Sequence, residues 1–334
     1  MTHPRVLLRV LGATLGALMA FAEAPAFAQT YSATITNADL GKIVDAPSSS
    51  TTFTFAASSG AVSQSGSATR IGSATTRAEV DVGCSGSGTA CNSSIDVKIQ
   101  SSGAFTGKAS AITNFTVSNL SNATIGTVTG TNPITFTLTS VNKNNLPKFY
   151  VGATVTINGN SQSGTNGTST AGFTVLMAKT LSPPATVPGG SGSVTAVVDR
   201  PIAFSGTTAM EFGTIYNPTS GTSTVTLDPN AATNPVSVTG NAIAVSTPTP
   251  QRATYNITGE GGQTFSTTLS ALNLSNGTDT IPVTLTTSTL PTTLSLAPGS
   301  QGTATFYVGG HFDITPSTHG HTYTGTYNVT VAYN

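Results

Sequence analysis

Charge is what this sequence has least of. Its 334 residues carry 12 Lys+Arg against 12 Asp+Glu, only 7% charged in all, for a formal net charge of zero. A surface so balanced has no long-range field to gather nucleic acid or anionic lipid, which argues against both as partners. Tryptophan is absent and cysteine occurs twice. Beyond the N-terminal segment no run approaches the roughly 18 uninterrupted apolar residues of a membrane-spanning helix. Catalytic signatures are missing too. No serine has glycine two positions before and two after it, so the esterase nucleophile elbow is absent. Gly83-Cys-Ser-Gly-Ser-Gly88 lacks the lysine and following helix of a phosphate cradle. The carboxylates are scattered over strand ends and turns, with no pair marked out for glycoside hydrolysis. The chain is read as non-enzymatic, with no cofactor.

What is present begins with an export signal. Arg5 and Arg9 flank a short basic region, Val10 to Ala22 is an apolar core, and Ala26-Phe27-Ala28 is a small-x-small cleavage site. Residues 1–28 are therefore expected to be removed, leaving a mature chain from Gln29 that is exported to the periplasm, cell surface or medium. The rest is rich in Ser, Thr, Asn and Gly. Val, Ile, Thr, Phe and Tyr recur in short alternating runs bounded by Gly, Pro and Asn, the pattern of β-strands and not of a disordered chain. The fold class is all-β.

One strand–loop–strand unit occurs twice. Phe306-Tyr-Val-Gly-Gly-His-Phe-Asp-Ile314 followed by Tyr323 to Asn334 answers Phe149-Tyr-Val-Gly-Ala-Thr-Val-Thr-Ile157 followed by Ala171 to Ala178. Leu40-Gly-Lys-Ile-Val44 likewise answers Phe212-Gly-Thr-Ile-Tyr216. The reading is two β-sandwich domains, residues 29–180 and 193–334, each long enough to bury its own core. Between them lies a linker, residues 181–192, whose prolines and glycines are not expected to continue a sheet.

Three groups of residues stand out. Cys84 and Cys91 are close in sequence in an exported chain, which reads as a disulfide. A redox or metal pair would need tighter spacing or further ligands. In the closing strand Tyr327, Val329, Val331 and Tyr333 fall on one face, a candidate subunit-interaction strand. In Ser193-Val-Thr-Ala-Val-Val198, Val194, Ala196 and Val198 do the same and form a candidate donor strand or first strand for the second domain. His311, His319 and His321, with Asp313 beside them, are a weak candidate for a zinc or copper site, weighed against three exposed loop histidines.

Met210-Glu-Phe-Gly-Thr-Ile215, the Tyr-Asn-Ile-Thr-Gly strand, Phe306-Tyr-Val-Gly-Gly310 and Gly325 to Asn334 together resemble the secreted bacterial domain of unknown function 4402. That family is similar to the spore coat protein U and archaic pilin group of the chaperone–usher pathway. The resemblance covers most of residues 193–334 and is looser over 31–179. It implies tandem immunoglobulin-like antiparallel sandwiches, either complete with edges covered by loops or lacking a strand that a neighbour supplies, with other surface subunits and a periplasmic chaperone or usher as partners. The function expected is a surface structural or adhesive subunit, pilus- or coat-like, assembled by β-strand addition. With Tyr31-Ser-Ala-Thr-Ile35 opening the first domain almost at once, a tip position is expected, unless Gln29 to Ile35 is itself a short donor. The alternative is a free-standing secreted module that binds glycan or metal.

Overall fold

The computed structural model describes residues 30–71, 77–85, 91, 94–122, 124–179, 187–233, 235–289 and 291–334. The expected signal segment and residues 181–186 of the expected linker lie outside them. All regular elements named below are strands.

The first half opens with β1 (Thr30–Thr36), β2 (Ala38–Val44), β3 (Thr51–Phe55), β4 (Val62–Ser65), β5 (Thr69–Ile71), β6 (Ala78–Ser85) and β7 (Ile95–Thr106). It continues with β8 (Ala109–Ser121), β9 (Thr124–Ile125), β10 (Thr129–Gly130), β11 (Ile134–Thr139), β12 (Lys148–Ile157), β13 (Gly167–Lys179) and β14 (Val187–Asp199). One sheet runs β1-β6-β12-β3-β4 with β8 also on β12, and the other runs β10-β11-β7-β13-β14-β2-β5 with β9 on β11. Alternation explains the packing: Ala78, Val80 and Val82 in β6 and Ile95, Val97 and Ile99 in β7 are buried. Both sheets feed one core, in which Phe53, Phe55 and Phe149 meet Ile95, Ile99, Phe136 and Phe173. Phe136 stands edge-on to Phe149 with ring centroids 5.5 Å apart, joining the two layers.

The second half comprises β15 (Ala203–Thr208), β16 (Thr214–Tyr216), β17 (Ser223–Leu227), β18 (Val236–Thr239), β19 (Ile243–Val245) and β20 (Ala253–Glu260). After these come β21 (Phe265–Leu269), β22 (Leu272–Ser275), β23 (Thr280–Thr287), β24 (Gln301–Ile314) and β25 (Val329–Tyr333). The main sheet runs β15-β20-β24-β17-β18, with β23 on β24 and β22 on β23, while β16-β19 and β21-β25 form separate two-stranded ribbons. Its buried side chains fall into two clusters, one around Val225, Leu227 and Phe312 and one around Ile257, Phe306 and Val308.

The same registers recur in both halves. Ala78 faces Val151 as Ala253 faces Val308, and Phe55 faces Ala153 as Leu227 faces Gly310. The Arg77 guanidinium lies over the Tyr150 ring at 3.6 Å and that of Arg252 over Tyr307 at 3.4 Å. In β2 and ahead of β16 the Gly41 and Gly213 N–H groups donate to Asp39 Oδ1 (2.9 Å) and Glu211 Oε1 (3.0 Å), with both glycines at positive φ, 76° and 80°.

One expectation fails at the boundary. Residues 187–192, expected to be linker, are the first part of β14, and residues 193–199, expected to open the second domain, complete the same strand within the first half's sheet. The boundary therefore falls near Asp199, not at residue 193. Proline and glycine are tolerated here for local reasons. Pro188 lies at the start of the strand, and Gly190 and Gly192 pass so close to neighbours that an added Cβ would lie 2.4 Å from the Ala33 carbonyl oxygen and 2.5 Å from the Phe173 ring.

Candidate functional site: a filled and an unfilled pair of strand edges

The site is best built from the half in which it is closed. β14 lies between two strands, antiparallel to β13 from Gly167↔Val198 to Met177↔Val187 and parallel to β2 from Val194↔Ala38 to Asp199↔Val44. Val194, Ala196 and Val198, the expected donor residues, point into the core at 2%, 3% and 0% exposure. They are thus seated in the chain's own first half, which corrects the reading of this segment as the first strand of the second domain. Beside them the inward row of β13, Phe173, Val175 and Met177, is at 1%, 0% and 2% exposure.

In the second half the matching strands are β25 and β16. β25 pairs β21 along one edge, from Phe265↔Tyr333 to Leu269↔Val329, and β16 pairs β19 along one edge, from Thr214↔Val245 to Tyr216↔Ile243. Among the described residues neither has a strand on its other edge. The expected one-face row is real: Tyr327, Val329, Val331 and Tyr333 turn toward the interior, yet all four are only half-buried. This is also where the core divides, with Met210, Leu285 and Tyr327 touching both clusters.

Hydrogen bonds hold the polar ends of this row. The Tyr255 hydroxyl donates to that of Tyr327 at 2.9 Å, and burial together with this bond pushes the Tyr327 phenol far above its ordinary range. Tyr333 accepts the Glu260 N–H (2.6 Å) and donates to the Arg200 carbonyl (2.8 Å), and burial pushes it up to about 12. The end of β25 is thereby tied to the junction between the halves. There Arg200 Nη1 meets buried Glu260 at 2.8 Å, and Lys42 reaches both Asp199 (3.0 Å) and Gln263. Sequence reading missed this network, because its partners lie tens of residues apart and only Asp199-Arg-Pro201 marks the spot.

The other expected residues fall elsewhere. Cys84 and Cys91 are disulfide-bonded at the end of β6. His311 lies within β24, paired with Thr226 and Thr284, while His319 Nδ1 contacts Asp279 Oδ2 at 2.5 Å on the surface. The bond from His319 holds the Asp279 carboxyl below its usual range. A cavity of about 310 Å³ opens beside it, lined by Asp279, Asp313, Thr318, His319 and Tyr323. The three histidines are not brought together: among the described residues no group of three His, Cys, Asp or Glu side chains is placed to hold a metal ion.

Fold and site together define an all-β protein of packed, mostly antiparallel sheets in whose second half β16 and β25 each pair along one edge alone among the described residues. Residues 202–333 match the family model described as a domain of unknown function, DUF4402, so the match begins just past the observed boundary and lies entirely in the second half. No curated protein matches the sequence. A chain from a solved structure titled as a chaperone–tip adhesin complex in CFA/I fimbriae biogenesis overlaps 91% of this chain and 84% of its own length, at 8% identity and a TM-score of 0.23. An overlap that loose bears on neither fold nor function. No helix among the described residues is long and apolar enough to cross a membrane.

Proposed function

We propose that this protein is an exported, non-catalytic surface subunit, pilus- or coat-like, joined to a neighbour by β-strand addition in its second half. A single observation carries the reading. Between β13 and β2 of the first half sits an alternating strand that buries three apolar side chains, and this supports a strand as the occupant of the matching edges. The matching edges of β25 and β16 offer unpaired backbone groups and a half-buried apolar row to an incoming strand. Because the chain's own alternating segment is already seated in its first half, it receives a strand here and, among the described residues, that segment is not free to be given. That suits the end of an assembly.

The test is a thermal titration of the full mature chain with a synthetic peptide of the 187–199 sequence and with the same composition in non-alternating order. The expected result is a saturable rise in melting temperature with the first peptide only. A cooperative, monomeric protein indifferent to both peptides would overturn the reading and leave a free-standing binding module.

A further inference from the structure

The junction between the two halves is itself a docked pair of units, and it can be used as a template. β14 fills the first half, ends at Asp199, and the chain passes through Arg200 into the second half. At that pole the strand end is pinned by the Asp45 N–H donating to the Asp199 carbonyl at 2.9 Å, and Lys42 spans from Asp199 to Gln263 of the second half. The first half contributes the end of β2, where Val44 is half-buried and Asp45 buried. The body that follows a strand thus sits on the pole where the receiving unit's β2-type strand ends.

The corresponding pole of the second half is where β16 ends. Here the cross-strand pair Tyr216↔Ile243 is apolar on both sides and open, at 60% and 62% exposure. Neither residue belongs to a core cluster, whereas Ile215, next to Tyr216 on the strand and paired with Ala244, packs against one. The patch continues into the 315–323 loop, since the Asn217 side chain donates to the Thr318 carbonyl, one residue from the His319–Asp279 contact. A large apolar pair at the tip of a ribbon, rimmed by polar groups, has the composition of an interaction surface.

We infer that this pole, centred on Tyr216 and Ile243, seats a further β-sandwich unit that follows the strand received along β25, packed head to tail as the second half packs on the first. The inference rests on the strand-addition reading and adds to it a second contact, made by the body of the partner and not by its strand. The incoming strand runs parallel to β16 and antiparallel to β25, so its end emerges beside Tyr216. A partner whose strand is followed closely by a folded unit then covers the patch. A bare strand leaves it wet.

The experiment uses the full chain extended after Asn334 in two ways, by a copy of residues 180–199 (connection and strand) or by a copy of residues 180–334 (the same strand followed by a unit). Each carries Tyr216→Cys, or in a parallel pair Ile243→Cys, and the rate of maleimide labelling of the native protein is measured, the two natural cysteines being bonded to each other. Both extensions are expected to raise the melting temperature. Labelling is expected to be slower by on the order of 10-fold when the unit follows than when the strand stands alone. Equal labelling rates at both positions, with both extensions melting higher, would overturn the inference while leaving strand addition intact. If neither extension raises the melting temperature, strand addition fails and this inference with it.

Discussion

The two halves differ most at one row of side chains. Phe173, Val175 and Met177 on β13 are sealed, whereas Tyr327 just ahead of β25 and Val329 and Val331 on it are half-buried, although the flanking strands meet in the same registers. The difference traces to β14. With it, the first half has one continuous core; in the second half the buried residues divide into two clusters. One strand decides whether a sandwich closes, because it contributes both a row of apolar side chains and the hydrogen-bond partners for two edges.

The comparison can be broken or sharpened by mutation. The largest effect is expected from Phe173→Ala, about 3–5 kcal/mol as for a sealed core aromatic, against about half that for Tyr327→Ala, where water already reaches the row. Denaturant titration with both variants measures the ratio, and equal losses would remove the distinction between the halves. Next comes the junction. Glu260→Ala leaves Arg200 without its carboxylate and should cost about 3 kcal/mol, the low end for a broken buried pair because Arg200 is partly exposed. Calorimetry should then separate one transition into two. Replacing Cys84 and Cys91 together by Ser should cost about 2.5 kcal/mol through loss of a short closed loop, confined to the first half.

A smaller effect should appear with pH. Burial pushes the Asp45 carboxyl from 3.8 up to about 6, against the bond from Asn166 and the charges of Lys108 and Arg200, and its Oδ1 has no hydrogen-bond partner. The folded state therefore binds this proton more readily than the unfolded one, so the first half should gain stability as pH falls from about 6 toward about 4. Asp199, also raised by burial, acts in the same direction. Unfolding free energies of the native protein and Asp45→Asn should lie closest near pH 4, where Asp45 is protonated in the folded state, and separate as pH rises through about 6, with a flatter slope in the variant; curves that instead close up toward high pH would show the sign to be wrong. At the small end, His319→Ala should leave the melting temperature at neutral pH unchanged, since the contact with Asp279 is exposed.

Much of this was legible in the residues. Short alternating runs marked the chain as all-β, the duplicated Phe-Tyr-Val-Gly marked equivalent strands, and the spacing of Cys84 and Cys91 marked their bond. Val194, Ala196 and Val198 were recognisable as a strand face that fills a sandwich. Which sandwich they fill was not, because alternation states that a strand has an inner face and is silent on what that face meets. Pro188, Gly190 and Gly192 were read as a break because glycine in a strand and glycine in a linker look alike until a neighbouring backbone is found against it. The junction was invisible for a related reason: Lys42, Asp199, Glu260 and Gln263 each look like solvated surface residues until the fold brings them together.

By itself, then, the order of residues determined the all-β class, the spacing of the strands and the direction each side chain takes from its own backbone, since these follow from period-two geometry within a few residues. Only the tertiary structure decided that the segment ending at Asp199 closes the first half, that Arg200 and Tyr333 clamp the second half to it, and that among the described residues β25 and β16 are each paired on one edge alone. Those outcomes depend on which distant edges compete for a strand, a matter of contacts between segments and not of any segment's own pattern.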